Sequence, residues 1–122
     1  MMKKYLKAKI HNLRITEANV NYTGSITIDP VLTEAAGLEK YEMVMVVNID
    51  NGERFETYVI EGKPGSGTVG LNGGAARKGK VGERIIVFST IWIEGGVKHD
   101  IRVLITDENN KIIESKNETI ET

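Results

Sequence analysis

Hydrophobic and polar residues alternate along much of this chain with the period of two that a half-buried strand requires. From Tyr5 to Asn12, Leu6, Ala8 and Ile10 fall on one face and Lys7, Lys9 and His11 on the other. The polar face is either solvated or the wall of a pocket. From Val20 to Ile28 the same period separates Val20, Tyr22, Gly24, Ile26 and Ile28 from Asn21, Thr23, Ser25 and Thr27. This predicts a strand over 20–28 whose polar face carries Ser25, either held among hydrogen-bonding groups or simply exposed. Asp29-Pro30 reads as an N-cap with proline at the first helical position, and Val31 to Ala36 as a short helix stopped by Gly37. Met43 to Ile49 and Arg54 to Ile60 read as strands joined at Asp50-Asn51-Gly52, a strong hairpin signal. In the second of them Arg54, Glu56, Tyr58 and Ile60 share a face opposite Phe55, Thr57 and Val59.

Beyond a loop over Glu61 to Gly67, Thr68 to Leu71 predicts a short strand, and Asn72-Gly73-Gly74-Ala75-Ala76 follows. A run of small residues like this is either a tight strand-to-helix turn or a place where the backbone approaches a ligand and offers its N–H groups. Lys80 to Glu83 turns into a long strand over Arg84 to Ile93, which Glu94-Gly95-Gly96 breaks. Val97 to Thr106 and Lys111 to Ser115 predict a hairpin across Asp107 to Asn110, with the polar Lys116 to Thr122 as a frayed terminus. The whole is a mainly β chain with one or two short helices, forming a single domain over 1–122.

Composition narrows the function classes. The 122 residues suffice for one core, and 16 basic against 17 acidic side chains leave no electrostatic footprint for nucleic acid. With no cysteine and two histidines, neither a disulfide framework nor a metal site is expected. Lysines interrupt what would have to be an apolar signal-peptide core, and no apolar run approaches the ~20 residues of a membrane span. A soluble, cytoplasmic protein is the expectation, with small charged metabolites left open as partners.

Gly24-Ser25 is a candidate for self-cleavage, although Gly-Ser pairs usually lie in turns and the chain has another at Gly65-Ser66. A serine hydroxyl attacks only when a neighbour activates it or the scaffold strains its target, and here the target would be the preceding carbonyl. Glycine tolerates backbone angles closed to other residues, so the fold could twist this peptide towards the Ser25 oxygen. Attack would place an ester in the backbone; elimination and loss of ammonia would then leave a pyruvoyl group at residue 25.

The text around this bond, Tyr22-Thr23-Gly24-Ser25-Ile26-Thr27-Ile28-Asp29, resembles the processing site of the bacterial pyruvoyl-dependent aspartate 1-decarboxylases. The likeness continues in order through Lys9-Ile10-His11, Ala35-Ala36-Gly37-Leu38, Asn51 to Tyr58, Asn72 to Ala76 and Val81-Gly82-Glu83, covering most of residues 6 to 90. It implies a small double-psi β-barrel, assembled as a homotetramer with active sites between subunits, and self-cleavage into chains 1–24 (β) and 25–122 (α). The implied reaction decarboxylates L-aspartate to β-alanine and CO₂ through a Schiff base with the pyruvoyl cofactor, feeding pantothenate and coenzyme A synthesis.

By the same resemblance, Ser25 is the source of the cofactor, Thr57 assists cleavage and lies near the substrate, and Tyr58 is the proton donor. Arg54 grips the carboxylate that stays, because a salt bridge to the departing one would stabilise the ground state more than the transition state. Lys9 lies near the substrate, Asn72 orients groups around the cofactor, and Gly73, Gly74 and Ala75 offer backbone contacts. His11 occupies a family histidine position, and Tyr22 and Ile60 line the pocket. Gly82-Glu83 stands where Gly-Asp is common, a change expected to affect a turn and not catalysis.

One difficulty is geometric. Residues four apart on a straight strand are roughly 13 Å apart at ~3.3 Å per residue, longer than an aspartate. Arg54 and Tyr58 therefore either converge through strand twist or serve pockets shared between subunits. Cleavage could be spontaneous or need a maturation factor. Two other readings compete: a non-catalytic β-barrel binding module, and a pyruvoyl decarboxylase for another amino acid.

Overall fold

The computed structural model describes residues 1–121. In chain order the elements are β1 (Met2–Arg14), β2 (Glu17–Asn19), β3 (Ser25–Ile28), α1 (Pro30–Ala36), β4 (Met43–Asn48), β5 (Arg54–Glu61), β6 (Val69–Asn72), a 3₁₀ turn (Gly73–Arg77), β7 (Arg84–Glu94), β8 (Lys98–Thr106) and β9 (Ile112–Glu121). The fold is mainly β. Its strands pair in the order β2-β6-β3-β5-β4-β7-β1-β8-β9.

Five neighbouring pairs are antiparallel, whereas β1–β8, β2–β6 and β3–β5 run parallel. A parallel pair needs a crossover connection, so the chain passes repeatedly over itself instead of forming a plain meander. Just beyond β1, Thr16 donates its N–H to the Val69 carbonyl of β6 at 2.7 Å, and Ile15 donates to Glu83. The Ile15 bond continues the β1–β7 pairing and the Thr16 bond the β2–β6 pairing, so the short step from β1 to β2 carries the chain to the far end of the pairing order and curls the sheet back on itself. Such interlocked crossovers are consistent with the double-psi barrel that the resemblance implies.

Alternation supplies the core. Ala8, Ile10, Ile26, Ile28, Val44, Val46, Val59, Val69, Leu71, Ile85, Val87 and Leu104 all point inward and are buried. Each large aliphatic side chain among them contributes roughly 1.5–3 kcal/mol when removed from water. The predicted helix forms as expected: the Asp29 carboxylate accepts the Val31 N–H at 2.9 Å, Pro30 opens the first turn, and Gly37 closes the last with φ 75°. The turn at 82–83 uses its exchanged residue directly, the Glu83 carboxylate accepting the Lys80 N–H at 2.7 Å and an Asn48 amide N–H at 3.2 Å.

Two expectations need correction. The strand predicted over 20–28 starts only at Ser25. Residues Val20 to Gly24 form a turn and bend, because the Asn19 side chain accepts the Asn21 N–H at 3.0 Å and folds the chain back. The terminus is not frayed through Lys116 to Glu121, since β9 pairs with β8 as far as Lys98↔Glu121. Backbone pairing, which needs no apolar side chains, extends that strand; Thr122 lies outside the described residues. No described helix is long and apolar enough to cross a membrane.

Candidate active site

Ser25 is the first residue of β3 and pairs with Asn72, the last residue of antiparallel β6. The pairing sets their side chains beside each other, although 47 positions separate them in sequence. The Asn72 Nδ2 group donates to Ser25 Oγ at 2.9 Å, and the Ser25 hydroxyl donates to the Thr23 carbonyl oxygen at 3.1 Å. Ser25 is 1% exposed and Asn72 6%. Of the two readings of Ser25, the hydrogen-bonded one holds.

Residue 24 itself is exposed and lines a cavity of about 380 Å³. Thr57 and Tyr58 of β5 border the same cavity, as do Gly74 and Ala75 of the 3₁₀ turn. The parallel register Ile26↔Val59 explains why β5 reaches this point: it sets the strand that carries Tyr58 alongside the strand that Ser25 opens. A carbonyl beside a buried, oriented hydroxyl and a phenol-bearing cavity wall are the elements needed for an acyl shift and a proton transfer. A pyruvoyl group derived from Ser25 fits this setting, since the residue is held by hydrogen bonds one position from Gly24, which lines the cavity.

Lys9 and Arg54 lie elsewhere. They border a second cavity of about 220 Å³, together with Leu6, Val47, Ile86 and Phe88. The pairings Val47↔Arg54, Val47↔Ile86 and Lys9↔Phe88 bring β5, β4, β7 and β1 to it. Within one chain, then, Arg54 and Tyr58 line different cavities. His11 is half-buried beside Lys9; burial and the Lys9 ammonium together lower its pKa and favour the neutral imidazole. Tyr22 is exposed in the turn before the cleavage site, and Ile60 is half-buried; neither borders either cavity. Gly73 also lies outside the lining, but it packs closely against the Gly24 backbone.

Sequence reasoning passed over Met43, Phe55, Glu56 and Lys78, which complete the larger cavity. The hairpin register could have supplied Met43, which pairs with Tyr58. Thr27 was also missed. Its hydroxyl accepts the other hydrogen of the Asn72 amide at 2.9 Å. Among the described residues, no three histidine, cysteine or acidic side chains converge on a metal position.

The family model described as aspartate decarboxylase matches residues 1–113. The chain is 51% identical over 119 residues to the aspartate 1-decarboxylase of Caldicellulosiruptor saccharolyticus, covering 96% of this chain and 93% of that protein. It is 49% identical over 116 residues to the enzyme of the same name from Shouchella clausii, covering 93% and 91%. With that of Pseudothermotoga lettingae it shares 46% identity over 115 residues, covering 94% of this chain and all of that one. On sequence, fold and extent of the match, the chain belongs to the aspartate decarboxylase family.

Proposed function

We propose that this protein cleaves itself between Gly24 and Ser25 and, as chains 1–24 and 25–122, decarboxylates L-aspartate to β-alanine and CO₂. The β-alanine would serve pantothenate and coenzyme A synthesis. The observation that carries this reading is the Ser25 hydroxyl, buried and held between the Asn72 amide and the Thr23 carbonyl, next in sequence to Gly24, which lines a cavity bordered by Tyr58.

In the self-cleavage, Ser25 Oγ bonds to the Gly24 carbonyl carbon, the C–N bond breaks, and the hydroxyl proton goes to the freed nitrogen. Loss of the Ser25 Cα proton with departure of the Gly24 carboxylate, then exchange of ammonia for water, completes maturation. Thr57, which borders the same cavity as Gly24, would assist the developing oxyanion. When formed, the pyruvoyl group supplies a ketone for the substrate amine and an adjoining carbonyl that draws off the electrons left by departing CO₂. Tyr58 would deliver the proton to the carbon that lost CO₂. Gly74 and Ala75 would offer backbone contacts across the cavity.

Arg54 would hold the retained side-chain carboxylate and Lys9 a neighbouring oxygen. Their separate cavity supports assembly with a second copy, in which the Arg54 face of one subunit closes the Tyr58 cavity of the next. A homotetramer with shared sites answers that need.

The test is the intact mass of the denatured protein together with CO₂ release from L-aspartate. Two fragments split after Gly24, with the larger an ammonia lighter than a serine-started chain, and CO₂ release from aspartate but not glutamate are expected. A chain that stays whole after heating and after incubation with a maturation partner would overturn the reading.

A further inference from the structure

The Asn72 amide faces two hydroxyls, not one. Its Nδ2 lies 2.9 Å from Ser25 Oγ and 2.9 Å from Thr27 Oγ1. An amide nitrogen carries two hydrogens, so the pair of contacts occupies both and turns the nitrogen edge of Asn72 towards β3. The surroundings of Thr27 are tight. In the β3–β6 register it sits opposite Gly70, and a Cβ built there would stand 3.4 Å from Thr27 Cβ. On the other side a Cβ at Gly62 would stand 3.1 Å from Thr27 Cγ2. The threonine is thus seated closely between two glycines, and its β-branched side chain is stiff at χ1.

We infer that Thr27 is a positioning residue for the backbone cleavage, acting on Ser25 through Asn72; this rests on the self-cleavage reading above. Attack on the Gly24 carbonyl needs the Ser25 oxygen kept in one place, and the amide that keeps it there is itself anchored at Thr27. Without the Thr27 hydroxyl one buried N–H loses its partner, and Asn72 gains orientations that release or reverse its bond to Ser25. The alternative, that Thr27 only fills space, predicts no dependence on the hydroxyl.

The experiment follows cleavage over time by intact mass in freshly synthesised full-length chains: native, Thr27→Val, Thr27→Ser, Asn72→Ala and the Thr27→Val/Asn72→Ala pair. Valine keeps the shape and removes the hydroxyl, and should slow cleavage about three- to tenfold, the effect of one neutral hydrogen bond. Serine restores the hydroxyl and should cleave within about twofold of the native chain. In the Asn72→Ala background the valine should add nothing, because its route to Ser25 is gone. Should Thr27→Val not fold, Thr27→Ala, which only removes atoms, takes its place. Native-like cleavage of the hydroxyl-free variant, or a slowing that persists without Asn72, would overturn the role of Thr27 while leaving self-cleavage intact. A native chain that never cuts would overturn both.

Discussion

A Cβ built on Gly73 would lie 2.8 Å from both the Cα and the nitrogen of Gly24 and 2.9 Å from the Tyr22 carbonyl oxygen. Gly73 also has φ 65°, a left-handed angle that costs other residues roughly 1–2 kcal/mol. Gly24, by contrast, has open space around its Cβ position and is not left-handed. The requirement for a bare backbone at the cleavage site therefore rests on Gly73, whose absence of side chain lets the 3₁₀ turn press against the scissile segment. Gly73→Ala should lower the melting temperature and suppress cleavage, whereas Gly24→Ala should melt close to the native chain; melting curves and intact masses check both. Tyr58→Phe should still cleave but lose about 10²–10⁴-fold in turnover, the worth of a positioned proton donor. The Ser25–Asn72 contact was legible only through the family resemblance, since nothing local ties residues 47 positions apart.

Among the elements, the segment around Asp29 gathers most of its order from one buried carboxylate. Besides capping α1, Asp29 accepts the N–H groups of Gly65 at 3.0 Å and Gly67 at 2.9 Å, and so fixes the loop between β5 and β6. Burial disfavours its charge, but the N–H groups of Gly67, Val31 and Gly65, with the nearby Lys111 ammonium, outweigh burial and hold its pKa below 3.8. The sign follows from linkage: stability supplied by this charge is complete above the unfolded value and is lost as pH falls through the lower, folded one. Asp29→Asn should cost about 2 kcal/mol near neutrality, and the gap to the native protein should close in acid; urea unfolding at both conditions measures it. The helix here was fully legible, because Asp-Pro and Gly act locally. The strands β1, β4 and β5 were legible for the same reason, each showing its period of two over enough residues. Val20 and Tyr22 misled because β-formers sit in a turn set by the Asn19 side chain. The end of β9 was hidden because an outermost strand needs only a neighbour's backbone.

For the molecule as a whole, the separation of Arg54 and Tyr58 into two cavities makes a test of assembly. If each site draws on two copies, Arg54→Ala and Tyr58→Phe chains, each inactive alone, should recover part of the activity when co-assembled, because some sites then receive both native residues. Activity that stays at the level of the separate variants would place both residues in one subunit. Sequence alone left this choice open, since strand spacing measures distance along β5 but not what packs against its outer face.

The first strand raises a different matter. β1 lies between β7 and β8, pairing with one along Met2↔Glu94 to Arg14↔Arg84 and with the other along Ala8↔Arg102 to His11↔Ile105. A cut after Gly24 would leave this interior strand on a separate 24-residue peptide, clasped on both sides but no longer tethered. Maturation would then turn a protein that folds as one chain into a complementation pair, whose rebuilding after denaturation requires two unlike strands to find each other. The cofactor would be gained at the expense of the ability to refold unaided, and the uncut precursor would be the form in which this fold is learned.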